Sequence, residues 1–224
     1  MTAILAERVV TEKEQRMVLS PITWKQYEAL LQVFPEHAGL RVTFLDGRIT
    51  LLSPTRRHDW FEKILGRFVE AIAESSNIEL EVSGHTTYRR DDLDAGVEGD
   101  QAYYFGANAR TMRGPIPVDL ATQPPPDLTI EVEALHSADD SIAVWGRLGV
   151  REVWRINVTQ STVCFMVRRD DGSYEASTRS KAFPTLEPID LLLQLELAEK
   201  LGWSMWVGQL NEWVRTVLLP RNGS

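Results

Sequence analysis

The sequence predicts an α/β protein on three observations. Residues 41–52, RVTFLDGRITLL, are two alternating runs around Asp46-Gly47, a strong signal for a two-residue β-hairpin turn. Residues 60–73 carry Phe61, Ile64, Leu65, Phe68, Val69 and Ile72 at helical spacing. Residues 127–134, DLTIEVEA, alternate Leu128, Ile130 and Val132 against Thr129, Glu131 and Glu133, and a helical stretch over 138–148 follows.

The remaining elements follow in order. Residues 1–20 read as a polar, irregular lead-in, and the N-terminus has acids and no long apolar stretch of the kind a signal peptide needs. A helix begins at Thr23, which with Gln26 fits a capping box, and it stops before Pro35. SPTRRHDW is a loop leading into the 60–73 helix. Strands are expected near 78–90 and 97–106, then a long loop over 107–126, rich in proline. Gly149 ends the 138–148 helix. Strands at 152–158 and 161–169 precede the turn Asp170-Asp171-Gly172 and a third strand near 173–179. From Leu191 to Leu219 the pattern is helical, with Trp203, Trp206 and Trp213. The division expected is a main domain over 21–187 and a helical segment over 188–224 that packs on the core or on a second copy.

Hydrophobic residues make up 43% and charged residues 25%, an ordinary soluble composition. Apolar runs fall far short of the roughly 20 residues a bilayer demands, so a cytoplasmic location is expected. The single cysteine, Cys164, excludes a disulfide framework and a cysteine zinc site. A net charge of -8 argues against a protein that coats nucleic acid by bulk positive charge, but leaves room for a local basic groove.

The acids carry the chemistry. Glu131 and Glu133 project from one face of an otherwise apolar strand. Either that face is solvated, or the carboxylates are paired or hold a metal, since buried charges are costly otherwise. Asp100 lies just before the aromatic run Gln101–Phe105. Asp100 and Glu131 together suit a hard divalent cation, with the carbonyl of Val132 as a further oxygen ligand. Arg56-Arg57 and Arg89-Arg90 are the densest basic pairs, either surface charge or contacts to a phosphate backbone.

The runs SGHTTYRRDDLDAGVEGDQAYYF, PPPDLTIEVEA and GRLGVREVWRIN, with Leu52-Ser53-Pro54 and His58 ahead of them, resemble the restriction endonuclease family abundant in cyanobacteria, within the PD-(D/E)XK nuclease superfamily. The resemblance runs from Phe44 to Pro184. It implies a restriction-endonuclease-like core, a central mixed sheet flanked by helices, with Mg2+ (or Mn2+) held by Asp100 and Glu131. It implies DNA as the partner and a peripheral role for His58, as a phosphate contact or a water-positioning group. Glu133 is grouped with these acids as a catalytic candidate, and His58, Arg57, Arg89 and Arg90 are the candidate phosphate contacts.

Two departures accompany the resemblance. The proline that precedes the motif aspartate is Gly99 here. The lysine that such proteins carry on the helix after the acid strand is replaced by Ser141, and the alternative position, two residues after the acid, is Glu133. Lys63, Arg57, Arg89, Arg90 and His136 are the cations that could substitute in space. The expected function is a Mg2+-dependent endonuclease cutting DNA, acting as a homodimer because a duplex presents two strands. The alternative is a relative that keeps the fold without the chemistry and binds nucleic acid or protein.

Overall fold

A computed structural model describes residues 14–33, 39–84 and 86–223. The expected lead-in over residues 1–13 and the helix stop at Pro35 lie outside the described residues. The chain runs β1 (Gln15–Leu19), α1 (Trp24–Val33), β2 (Arg41–Leu45), β3 (Arg48–Ser53), α2 (Arg56–Ser75), β4 (Leu80–Val82), β5 (Thr87–Arg90), β6 (Ala95–Glu98), β7 (Gln101–Phe105), α3 (Gly106–Thr111), β8 (Leu128–Glu133), α4 (Asp139–Leu148), β9 (Glu152–Asn157), β10 (Thr162–Arg168), β11 (Tyr174–Ser177), α5 (Pro188–Leu201) and α6 (Trp203–Trp213).

Strands divide between two sheets. One is wholly antiparallel in the order β1-β3-β2-β6-β5; the other is mixed, in the order β11-β10-β9-β8-β7-β4. The mixed sheet fits the expected architecture, and its one parallel pair is β8 with β9, joined through α4. The two sheets are joined because the strands expected near 78–90 and 97–106 each bend. They form one long ribbon: β5 and β6 pair in the first sheet, and β4 and β7 pair in the second. The bend on one arm is Gly99-Asp100, so the aspartate stands where the ribbon passes from sheet to sheet.

Local signals mostly act as read. Thr23 N–H donates to Gln26 Oε1 at 2.8 Å, and Gln26 N–H donates to Thr23 Oγ1 at 3.3 Å, completing the capping box. Asp46 and Gly47 take φ of 47° and 74°, the mirror-image turn that matches strand twist. Three expectations need correction, the first being the loop over 107–126, which opens with the short helix α3 after β7. Part of the polar lead-in is β1, an edge strand paired to β3 from Gln15↔Ser53 to Leu19↔Ile49. Its side chains are mostly exposed, so backbone pairing holds it and no apolar face announces it. The helix expected from residue 60 starts at Arg56, because Thr55 caps it: its side chain accepts from His58 N–H at 3.3 Å. His58 therefore sits in the first helical turn and not in a loop.

The core brackets β8. Leu128, Ile130 and Val132 pack with Phe61, Leu65 and Phe68 of α2, with Leu191 and Leu195 of α5, and with Trp206 and Leu210 of α6. Beyond the opposite face, Trp145 of α4 packs with Tyr88, Val97, Ala102 and Val153. All six residues of β8 are buried, which removes the solvated-face reading of Glu131 and Glu133. No helix among the described residues is long and apolar enough to cross a membrane.

Candidate metal centre

Four elements converge on Asp100, which is 4% exposed. The ribbon bend presents it, and β8 grips it: Val132 N–H donates to Asp100 Oδ2 at 2.8 Å. From α2, His58 Nε2 lies 3.2 Å from the same oxygen and 3.1 Å from the Val132 carbonyl. From β2, Arg41 Nε donates to Asp100 Oδ1 at 3.4 Å, while its Nη2 donates to Glu62 Oε2 at 3.1 Å. Glu62 lies one helical turn past His58 on the same face of α2. Its other oxygen accepts from Gln101 Nε2 at 3.0 Å. Ligand atoms of His58, Glu62 and Asp100 all fall within 4.8 Å of one another.

Glu131 is 5% exposed and accepts from the indole N–H of Trp145, Nε1 to Oε1 at 2.6 Å. The contact explains Gly99. A Cβ there would stand 2.5 Å from Trp145 Cζ2 and 3.0 Å from Glu131 Oε1. The bare backbone leaves room for the indole to reach the acid.

The charges set one another. Burial favours the protonated form of Asp100, but His58, Arg41 and the Val132 N–H outweigh it and hold its carboxyl below the usual range. Glu131 goes the other way: burial, then the charge of Asp100, push it well above the ordinary value against the pull of Trp145, His58 and Arg41. Burial alone would lower His58; the charge of Asp100 and their hydrogen bond reverse that and raise it to about 9.

Several expected residues are elsewhere. Glu133 is not in the cluster. It accepts from Ala138 N–H at 2.7 Å and Asn157 Nδ2 at 3.3 Å, and pairs with Arg155 at 2.7 Å, so it ties the start of α4 to β9. Arg57 lies over the Phe61 ring and reaches the Val158 carbonyl at 3.4 Å and Glu199 at 3.9 Å. Arg89 pairs with Glu28 at 3.7 Å, and Arg90 with Asp92. Ser141 Oγ is 3.1 Å from Thr43 Oγ1. Lys63 lines a groove of about 340 Å³ with Glu62, Gln101 and Trp203, and His136 a cleft of about 710 Å³ with Glu133 and Arg155. The residues that sequence reasoning missed are Arg41 and Glu62. For Glu62 a signal existed, the spacing of four residues from His58; for Arg41 none did, since an arginine opening a hairpin strand is unremarkable.

The mixed sheet, its flanking helices and the buried cluster at the ribbon bend define a restriction-endonuclease-like α/β protein. Residues 24–200 match the Uma2 family, described as putative restriction endonucleases, and the chain belongs to that family. The chain is also similar to the crystal structure of a putative nuclease from Anabaena variabilis, with 16% identity over 87% of this chain and 99% of that one and a TM-score of 0.48. No curated protein matches.

Proposed function

We propose that this chain is a divalent-metal-dependent nuclease that hydrolyses phosphodiester bonds in DNA. One observation carries the reading: His58 Nε2, Asp100 Oδ2 and the Val132 carbonyl oxygen lie 3.1–3.2 Å apart along the two contacts His58 makes. Octahedral ligands at about 2.0–2.1 Å from an ion stand about 3 Å from their neighbours, so these donors are spaced as one edge set of such a shell. Asp100, Val132 O and His58 would hold the ion, with Glu131 and Glu62 beside them. The imidazole suits Mn2+ and other transition ions better than Mg2+. Bound there, the ion supplies polarisation of the scissile phosphate and a more acidic water.

The chain's own residues do the rest. Val132 N–H fixes the rotamer of Asp100, Trp145 fixes Glu131, and the first turn of α2 delivers His58. In the reaction a water oxygen bonds to phosphorus, the bond from phosphorus to one ester oxygen breaks, and the water's protons leave to the departing oxygen and to solvent. A symmetric pair of subunits, one for each strand, belongs to the same reading and is checked by sedimentation velocity.

Supercoiled plasmid incubated with the protein and Mn2+ or Mg2+ tests the proposal. Nicked or linear product is expected, lost with chelator and with Asp100→Asn. No product at high protein, or product indifferent to Asp100→Asn, removes the reading. One observation favours a second reading, a nucleic-acid-binding relative without cleavage: α4 brings no cation to the acids, since Ser141 is turned to Thr43 and Arg147 is paired with Asp46. Under it, Ser141→Lys switches on cleavage that the wild type lacks.

A further inference from the structure

The strand that closes off Ser141 also brings a positive charge to the acids. Thr43 and Arg41 are two apart on β2 and so share one of its faces. Thr43 meets Ser141; Arg41, only 7% exposed, reaches Glu62 and Asp100. A cation thus arrives from the first sheet where relatives would supply one from the helix after β8.

The contacts of Arg41 to these two acids are unequal. Its contact to Glu62 is 3.1 Å and to Asp100 3.4 Å. An ion held by His58 and Asp100 takes up the charge of Asp100, and the longer contact is the one it competes with. The Glu62 contact then keeps the guanidinium at the edge of the centre. A planar fork of donors fits two phosphate oxygens, and it stays charged at any working pH. It cannot accept a proton, so this group binds and neutralises phosphate and does not activate water.

We propose that Arg41 is the phosphate-binding cation of this centre, standing in for the missing lysine, and that it turns from Asp100 to a phosphate oxygen when a divalent ion occupies the site. The proposal rests on the nuclease reading for its setting, but its test does not need cleavage.

Two calorimetric titrations decide it: Mn2+ into the metal-free protein, and deoxythymidine 5′-monophosphate into the Ca2+-loaded protein. For Arg41→Gln the two are expected to move oppositely. Mn2+ binds as tightly or several-fold tighter, because a competing cation is gone, while the nucleotide binds about 10- to 100-fold more weakly, the loss of a charge-assisted hydrogen bond. A purely structural arginine would move both downward together or neither, and either result overturns the proposal, as does a wild type that binds no nucleotide. If Arg41→Gln does not fold, the wild type carries the test by NMR. The Arg41 Nε–Hε resonance, assigned by its loss in Arg41→Lys, must shift when nucleotide is added to the Ca2+-loaded protein; a stationary resonance overturns the idea. Arg41-dependent nucleotide binding without plasmid cleavage would count against the nuclease reading alone.

Discussion

Trp145 and Gly99 are fitted to each other: the indole reaches Glu131 Oε1 at 2.6 Å only because residue 99 has no side chain, a methyl there standing 2.5 Å from Cζ2. Gly99→Ala should therefore overpack a fully buried site and cost about 1–3 kcal/mol. Trp145→Phe removes the ring atom in the way and also the donor to Glu131. Denaturant melts of both single variants and the double variant should show the double less destabilised than the sum of the singles. Additive losses would mean the two residues are not coupled.

The sequence makes the frame of this site legible. Alternation in DLTIEVEA, the Asp46-Gly47 turn, the Thr23 cap and the Gly149 stop each have a local cause, and each appears in the structure. Asp100 and Glu131 are singled out by resemblance, and both are buried. What the sequence could not display is cross-element geometry. That Glu133 turns to Ala138 and Arg155 depends on how α4 enters, and that Arg41 points at Asp100 depends on one sheet lying against another. The bend at Gly99-Asp100 has the same origin, since a ribbon shared by two sheets reads as two ordinary strands.

The pair of His58 and Asp100 makes the metal-free protein sensitive to alkali. His58 is raised from 6.5 to about 9 in the folded chain. A folded pKa above the unfolded one contributes stability that is present in full below about 6.5 and is lost as pH rises through about 9. The contribution is on the order of 3 kcal/mol at its largest. Urea midpoints measured in chelator should fall between pH 6.5 and 9 for the wild type, and fall less steeply over that window for His58→Gln. A wild-type midpoint that is flat or rises there would contradict the charge pairing.

Metal binding should stabilise the fold in proportion to its occupancy. An ion that binds only the folded chain adds about 2.7 kcal/mol when present at about 100 times its dissociation constant. Thermal melts should rise with Mn2+ concentration, and with Mg2+ only at higher concentrations, because His58 provides a nitrogen. Asp100→Asn should abolish the rise, since it removes the negative charge at the carboxyl that His58 Nε2 and Val132 N–H share. Glu133→Gln should preserve it, because that acid is committed to α4 and Arg155. Equal loss in both variants would place the ion elsewhere.

The C-terminal helices pack into the core. Leu191, Leu195 and Ala198 of α5, Trp206 and Leu210 of α6, and then Val214 and Leu218 share one buried cluster with Phe68, Ile130 and Trp154. Each large aliphatic side chain buried this way contributes about 1.5–3 kcal/mol. That is a large fraction of the 5–15 kcal/mol that separates a typical fold from its unfolded chain. Arg221 adds a clamp, with Nη1 and Nη2 donating to Asp190 at 2.6 and 3.0 Å, which ties the chain end to the first turn of α5. A chain ended after Glu187 exposes the apolar faces of α2 and the mixed sheet. It is expected to lose its cooperative melting transition and to bind a hydrophobic dye. Arg221→Ala, by contrast, should keep the transition and lower it by a few degrees. A truncated chain that melts cooperatively near the wild-type temperature would show that residues 188–224 do not contribute to the stability of the main domain.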